Sequence, residues 1–230
     1  TTWFDPGRLG SGRPRPYALR ELSVGPGGRT LTASLRVFGR VPQQDVLLGA
    51  LRRAGAMGFG AKRVRGTLAQ LLAVGGGESV PVVDGGQLLA PLPEPSPLTT
   101  LFLSVPQQPR LLLASPMQLG RTDDPITGAD LLSSTIRRLH ALAAEQGQRI
   151  DQRWPDPGAV RLIESELSWV EGSRWSRRQR ARIGLGGWMG SMVLDGAEEF
   201  HELVAAAEVI QVGRNTSAGL GAIAIDRASC

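Results

Sequence analysis

The sequence predicts an α+β protein made of two tandem ferredoxin-like (RRM-like) domains. Its 230 residues suffice for two small domains. Strand and helix patterns in the second half follow the order strand, helix, strand, strand, helix, strand, which is the split βαβ plan. Four prolines within residues 91–97 indicate a linker between the halves. We therefore predict an N-terminal domain over residues 1–97, opening with a Pro/Arg-rich arm, and a C-terminal domain over residues 98–230.

The individual elements follow from hydrophobic periodicity. Apolar residues at every second position indicate strands, and apolar residues three and four apart indicate helices. After the arm over residues 1–28, the first half is predicted to contain a strand at 31–39, a helix at 45–54, a strand at 62–74 and a hairpin of 80–83 with 87–89. In the second half we predict strands at 98–105 and 110–119, a helix at 128–146, a long hairpin of 160–170 and 174–194, a helix at 198–209, and strands at 210–212 and 222–225.

The basic residues are almost all arginine. Lys62 is the only lysine among 26 basic residues, the net charge is +5 and the pI is about 10.7. A GC-rich genome favours arginine codons everywhere, but it does not explain clustering. Arginine binds phosphate through two parallel hydrogen bonds and stacks on bases, so clusters of arginine indicate an RNA partner.

Several other functions are excluded by the motifs. The segment 55–62 resembles a phosphate loop, but Ala61 separates the last glycine from Lys62. His201-Glu202 lacks the second histidine of a zinc protease, because position 205 is Ala205. Two histidines and one terminal cysteine do not make a conventional zinc site, so we expect no metal and no cofactor. Without a signal peptide or an apolar run of about 18 residues, a cytoplasmic location is expected and no membrane is involved.

The strongest charge cluster spans residues 174–182. On one continuous strand, alternate residues would form an arginine row about 7 Å apart, close to the phosphate spacing of a nucleic acid strand. The row consists of Arg174, Arg178, Arg180 and Arg182, interrupted by Ser176. The alternative is a solvated edge strand whose charges prevent aggregation, with Glu164 and Glu166 of the preceding strand neutralising part of the row.

A glycine-rich tail over residues 212–221 is the second candidate. Glycines permit close backbone approach, and free amides can hold a phosphate, although any tight turn before a last strand uses glycine as well. Together with the glycine-rich stretch 184–190, this signal becomes more specific.

Four elements in this order resemble the C-terminal half of the CRISPR-associated endoribonucleases that process precursor CRISPR RNA, members of the RAMP superfamily. The elements are Trp175-Ser176-Arg177-Arg178-Gln179, Gly186-Gly187-Trp188-Met189-Gly190, the helix end Ala207-Glu208, and the tail from Val212 to Gly221. The resemblance implies two ferredoxin-like domains, recognition of the hairpin of the CRISPR repeat RNA by a basic β-hairpin and a glycine-rich loop, and metal-independent cleavage that leaves a 2′,3′-cyclic phosphate. It also implies that the protein stays on the product with other CRISPR effector subunits. The short N-terminal region suggests a compact variant such as that of a type IV system.

The catalytic assignment is less direct, because relatives usually place a histidine in the first domain and this chain has none there. His140 and His201 lie in the second half and do not match the family position. Arginine is a poor base but stabilises charge that develops on phosphate. We therefore predict a slow arginine-based site, formed by Arg20, Arg36, Arg40 and Tyr17. The predicted RNA-binding residues are Lys62, Arg63, Arg65, Arg174, Arg177, Arg178, Arg180, Arg182, Arg214 and Asn215.

Three functions therefore remain open from the sequence. The first is a repeat-specific endoribonuclease, and the second is a weak or inactive subunit that caps the 3′ hairpin of the CRISPR RNA. The missing histidine favours the second. The third is a structural protein that only assembles with partners, and it predicts no affinity for hairpin RNA at physiological salt.

Overall fold

The computed structural model describes residues 17–39, 44–58, 64–75, 78–94, 96–120, 124–176 and 180–228. Strands and helices alternate along these segments. In chain order they are β1 (Tyr17–Val24), β2 (Leu31–Val37), α1 (Gln44–Met57), β3 (Gln70–Gly75), β4 (Glu78–Asp84), β5 (Gln87–Leu88), β6 (Arg110–Met117), α2 (Gly128–Glu145), β7 (Arg161–Val170), β8 (Ser173–Ser176), β9 (Ala181–Gly184), β10 (Gly187–Asp195), α3 (His201–Ile210) and β11 (Ile223–Asp226). The α+β prediction is confirmed.

The chain divides into two compact units. One comprises the described residues from Gly39 to Leu101, and the other comprises those from Tyr17 to Phe38 and from Phe102 onwards. The division after Leu101 lies close to the predicted boundary between residues 97 and 98. The β1–β2 hairpin, however, groups with the second unit rather than with the N-terminal domain in which we predicted it.

The second unit contains the predicted ferredoxin-like sheet. Its strands lie in the order β11–β6–β10–β7, and every neighbouring pair is antiparallel. With α2 after β6 and α3 after β10, this is the βαββαβ arrangement with sheet order 4-1-3-2. The β8–β9 hairpin is inserted between the second and third strands of that plan.

The core of the second unit joins one face of this sheet to α2 and α3. Alternate residues of β6 point into it, and α2 contributes an apolar stripe that begins at a capping box of Thr127 and Asp130. Each fully buried aliphatic side chain contributes about 1.5–3 kcal/mol. The buried set includes Leu111, Leu113, Met117, Leu131, Leu132, Met192, Leu194, Leu203, Val204, Ala207, Ile223 and Ile225.

The first unit has a smaller core. Strands β3, β4 and β5 form an antiparallel sheet, and Leu48 of α1 packs with Val82 and Val83 of β4. The Gln44 side chain joins α1 to the chain after β5, since it donates to the Ala90 carbonyl at 3.4 Å and accepts from the Leu92 amide at 3.2 Å. None of the described helices combines the length and apolar character needed to cross a membrane.

Three strand predictions are wrong. Residues 98–105 begin with a 3-10 turn, because Pro97 accepts hydrogen bonds from the Thr100 amide and hydroxyl at 3.1 and 2.7 Å. In the described part of 62–74, strand β3 begins only at Gln70, while the Gly66 amide donates to the Gly55 carbonyl. Residues 210–212 finish α3 and turn instead of extending, because Gln211 has a positive φ of 58°.

Candidate nucleic-acid interface

Three arginines converge on the C-terminal end of α3. The last carbonyls of a helix have no partner within the helix and carry its partial negative charge. Arg36 Nη1 donates to the carbonyls of Glu208 and Val209 at 2.9 and 2.7 Å, and Arg20 Nη1 donates to Glu208 at 3.3 Å. Arg138 Nε donates to the Ile210 carbonyl at 2.9 Å. Three consecutive carbonyls of the last turn are thus held by guanidinium groups.

A bulge in β1 accompanies this arrangement. Leu19 pairs with Leu35 and Glu21 pairs with Ser34, so Arg20 is the extra residue of the β1–β2 ladder. Bulges re-aim a side chain relative to the regular pleat. Arg36 lies opposite Ala18 on the neighbouring strand. The hairpin therefore presents two of the three predicted catalytic arginines, Arg20 and Arg36, to α3.

Glu208 is a second anchor at the same helix end. Its side chain is 12% exposed, Arg227 Nη2 donates to it at 2.7 Å, and the Ile225 amide donates at 3.0 Å. Burial alone would raise the pKa of the Glu208 carboxyl, but the hydrogen bonds from Arg227 and Ile225, with the charges of Arg227 and Arg20, hold it below its ordinary value. The carboxylate is therefore ionised at neutral pH and ties α3 to β11.

The glycine-rich tail follows α3 directly. Gly213, Asn215, Gly219 and Gly221 all have positive φ, so the chain turns sharply there. A Cβ on Gly221 would lie 1.8 Å from the Val212 carbonyl oxygen. Close backbone contact within the protein itself therefore requires glycine at position 221.

Backbone hydrogen bonds fix this tail, a glycine-rich loop over residues 212–221, to the end of β6. The Arg214 amide donates to the Gln118 carbonyl at 3.1 Å, and the Gly221 amide donates to the Pro116 carbonyl at 2.9 Å. The Arg214 side chain is exposed and Asn215 is half-buried. The loop thus holds a basic and an amide side chain at the end of the helix that Arg20 and Arg36 contact.

The prediction of a continuous arginine row on one strand is wrong. Strand β8 ends at Ser176 and β9 begins at Ala181, and the two pair as a separate hairpin with Trp175 opposite Arg182 and Arg174 opposite Ile183. Arg180, immediately before β9, has a φ of 48°. Alternate residues share a face only within one continuous strand, so Arg174 of β8 and Arg182 of β9 do not belong to a single row.

The neighbouring glycine stretch has a packing role. A Cβ on Gly187 would lie 2.7 Å from the Met117 amide nitrogen, and one on Gly190 would lie 1.9 Å from the Glu166 carbonyl oxygen. Glu164 of the same strand is ion-paired with Arg110 of β6. These glycines allow β10 to lie close to its neighbours β6 and β7.

The other predicted residues fall into two groups. Tyr17 is half-buried opposite Val37, and Arg65, Arg180 and Arg182 are exposed, but Arg65 lies in the first unit. Predictions that lie outside the described residues or side chains concern Arg40, Lys62, Arg63, Arg174, Arg177 and Arg178.

Neither histidine lies at the arginine cluster. His201 begins α3, about 14 Å along the helix from Ile210 at 1.5 Å per residue. His140 is exposed, its ring contacts Trp154 edge-to-face at 5.8 Å, and it points away from Arg138, two positions earlier on α2. Among the described residues, no three His, Cys, Asp or Glu side chains are grouped to hold a metal ion.

Sequence reasoning missed Arg138 and Gln211 as parts of this site. The available signal for Arg138 was its place in the apolar stripe of α2, where Leu131, Thr135 and Leu142 are also buried. A charged residue at such a position needs a specific partner. Gln211 carried no comparable signal, because its role depends on a positive φ and on β1.

Comparisons with known proteins bear on the fold and on the family. The family model described as CRISPR-associated endoribonuclease Cas6 matches residues 111–223. None of the curated proteins compared with the sequence matches it.

Solved Cas6 structures share the fold over nearly the whole chain. A product complex of the Cas6 protein TTHA0078 has a TM-score of 0.53 at 20% identity, covering 96% of this chain and 86% of that one. A product complex of the Cas6 protein TTHB231 has a TM-score of 0.58 at 13% identity, covering 96% and 84%. Thermus thermophilus Cas6 TTHB231 has a TM-score of 0.50 at 12% identity, covering 96% and 83%. The resemblance predicted from the motifs is thus confirmed: the chain has the fold of Cas6 proteins, and residues 111–223 match the CRISPR-associated endoribonuclease Cas6 family.

Proposed function

We propose that the protein binds the hairpin of CRISPR repeat RNA and cleaves precursor CRISPR RNA without a metal. The observation that carries this proposal is that Arg20 and Arg36 meet α3 where it leads into the glycine-rich loop with Arg214 and Asn215. Basic side chains from distant parts of the sequence thereby meet in one unit. The two Cas6 proteins of similar fold were solved as product complexes, which supports the same use of the fold here.

The proposed reaction needs only the RNA itself. The 2′-oxygen attacks the adjacent phosphorus and loses its proton, a 2′,3′-cyclic phosphate forms, and the bond to the 5′-oxygen breaks as that oxygen gains a proton. Guanidinium groups stabilise the negative charge that grows on the phosphate oxygens. General acid–base help is typically worth about 10²–10⁴-fold, so an arginine site without a histidine is a slow one. Slow cleavage suffices when the protein stays on its product with other effector subunits in the cytoplasm.

The experiment that tests this function is cleavage of labelled repeat RNA in EDTA. We expect one cut beside the hairpin and a product that acid treatment opens to a 2′- or 3′-phosphate. A control RNA with a 2′-deoxy nucleotide at the mapped cut position should bind equally and stay intact. Cleavage only after magnesium is added would contradict the proposed chemistry.

A second candidate function is a weak or inactive subunit that caps the 3′ hairpin of CRISPR RNA. The specific observation in its favour is that Arg36 Nη1 is engaged by two helix carbonyls and that both histidines lie elsewhere. This candidate predicts tight binding of the repeat with no cut after prolonged incubation. The same EDTA assay therefore separates the two functions.

The β8–β9 hairpin and its tip are proposed to contact the RNA backbone. Replacing Arg178, Arg180 and Arg182 by alanine should weaken binding and reduce the slope of log K against log salt by about 2 units, since each phosphate contact on a single strand contributes about 0.7. Titrations of labelled RNA at several salt concentrations measure this slope.

The matched control removes two exposed arginines from the segment between α2 and β7. Arg149 and Arg153 are both exposed, and Arg149 is paired with Asp151. Their replacement by alanine should leave the slope within error of the parent value. If the hairpin variant keeps the parent slope as well, the binding surface lies elsewhere.

A further inference from the structure

Arg138 is a buried cation inside the helical layer of the second unit. The residue is 9% exposed, and burial lowers the pKa of its guanidinium to about 10, which leaves it charged at neutral pH. Its Nε donates to the Ile210 carbonyl, and its guanidinium carbon lies 5.9 Å from the centre of the Phe38 ring. Phe38 follows β2, the strand that carries Arg36. Arg138 therefore touches both α3 and the end of the β1–β2 hairpin.

Apolar packing alone does not account for an arginine here. Neighbouring positions of the same stripe hold Leu131 and Leu142, and a leucine or methionine would continue it. No carboxylate among the described residues forms an ion pair with Arg138, and its Nη2 atom is buried without a hydrogen-bond partner in that part of the chain. A buried charge that lacks such compensation is costly, so the residue serves something besides core packing.

Gln211, the residue after α3, makes a second contact between the end of this helix and the β1–β2 hairpin. It has a φ of 58° immediately after α3, and its side-chain Nε2 donates to the Leu19 carbonyl of β1 at 3.0 Å. Its Oε1 is buried and also without a partner among the described residues. Ile210 thus accepts a hydrogen bond from Arg138 of α2, and the adjacent Gln211 donates one to Leu19 of β1. The glycine-rich loop begins one residue later.

We propose that Arg138 and Gln211 are positioning residues that hold the β1–β2 hairpin, and with it Arg36, in register with the glycine-rich loop. This inference rests on the proposed RNA-cleaving function, because Arg36 is the side chain being positioned. Both residues are buried, so we assign neither of them a direct contact with RNA. Arg138 and Gln211 form a buried polar contact between α2, the end of α3 and β1. We infer that the geometry of this contact, and not only the charge of Arg138, determines the position of the β1–β2 hairpin.

The test uses Arg138→Lys, which keeps the charge but loses the planar fork. Single-turnover cleavage at saturating protein should slow by about 10- to 100-fold, because misplacement by about 1 Å can cost 10²-fold. Binding of the uncleavable 2′-deoxy repeat should change by less than about threefold, because the RNA-contacting side chains of the loop remain. Arg137→Lys is the matched control, since Arg137 is exposed on the same helix and should match the parent in both assays.

Amide hydrogen exchange gives a readout that does not depend on activity. In Arg138→Lys, exchange should accelerate across Tyr17–Val24 and stay at the parent rate across Arg110–Met117, because only the buried polar contact is loosened. Should Arg138→Lys fail to fold, Phe38→Leu removes the ring beside the guanidinium, and the same selective acceleration is expected. Equal acceleration in both strands, with an unchanged single-turnover rate for the folded protein, would show a merely structural role and overturn the inference.

The proposed function and this inference fail separately. A parent protein that binds but never cuts the repeat refutes the endoribonuclease function, whatever Arg138 does. The positioning role is then judged by exchange alone, and unchanged protection of β1 in both variants refutes it.

Discussion

Replacing Arg36 by alanine should slow single-turnover cleavage of repeat RNA by about 100-fold while weakening RNA binding by less than about threefold. Removal of one donor that stabilises developing negative charge typically costs about 10²–10³-fold in rate, and 100-fold corresponds to about 2.7 kcal/mol of transition-state stabilisation. Binding spreads over many phosphate contacts, so one arginine contributes little to it. Cleavage at saturating protein and titration of the 2′-deoxy repeat measure the two effects independently.

The position of Arg36 explains why the effect should fall on the rate. Its Nη1 atom is held by the carbonyls of Glu208 and Val209, which fix the guanidinium plane against the end of α3. A fixed guanidinium stabilises a transition state without reorganising during the reaction. Arg36→Lys keeps the positive charge but loses the fork, so it should recover only part of the rate.

Arg29→Ala is the matched control for this prediction. Arg29 is exposed between β1 and β2, so its loss removes a charge from the same hairpin without touching α3. It should cut at the parent rate. If Arg36→Ala also cuts at the parent rate, Arg36 only caps the helix, and the proposal that it acts in catalysis is wrong.

The fold of the second unit could be predicted because its signals are local. The apolar period of α2 predicted residues 128–146, and the helix runs from Gly128 to Glu145. The order of strands and helices was enough to indicate the ferredoxin-like sheet, since few antiparallel topologies fit that order. Elements with strong periodicity and clear caps therefore appeared where the sequence placed them.

The docking of the β1–β2 hairpin could not be predicted in the same way. It depends on contacts between residues far apart in sequence, such as Gln211 with the Leu19 carbonyl. The bulge at Arg20 has no local sequence signature, because a regular strand accommodates the same residues. Of the predicted catalytic arginines, Arg20 and Arg36 both contact the end of α3, while Arg40 lies outside the described residues. The surface that holds Arg20 and Arg36 became visible only in three dimensions.

In the β8–β9 hairpin, the local pattern was present but predicted the wrong structure, one continuous strand. Residues 174–182 contain no glycine or proline, so they carry no turn signal and their alternation appears unbroken. The chain turns there nonetheless, with Arg180 at a φ of 48°. The two-residue period alone therefore could not show that β8 ends at Ser176 and that β9 begins at Ala181.

Replacing Gly221 by alanine should destabilise the second unit by at least about 2 kcal/mol and should disrupt RNA binding. An L-residue in the left-handed region costs about 1–2 kcal/mol, and here the new Cβ would also lie 1.8 Å from the Val212 carbonyl oxygen. Since the Gly221 carbonyl accepts the Val212 amide, the two residues close the base of the loop and cannot separate without moving it. Thermal unfolding should show a drop of about 4–8 °C, at about 2–4 °C per kcal/mol for a protein of this size.

Gly147→Ala separates backbone strain from collision. Gly147 has a φ of 68°, close to the 73° of Gly221, but a Cβ there would meet nothing within 4 Å. It should therefore show the conformational cost alone, and the difference between the two variants measures the contact with Val212. Equal unfolding temperatures would mean that the loop rearranges around the new Cβ at no cost in free energy. Such a loop could not hold Arg214 and Asn215 in fixed positions after the end of α3. RNA affinity in Gly221→Ala should therefore fall with the extra destabilisation, whereas Gly147→Ala should bind as the parent does.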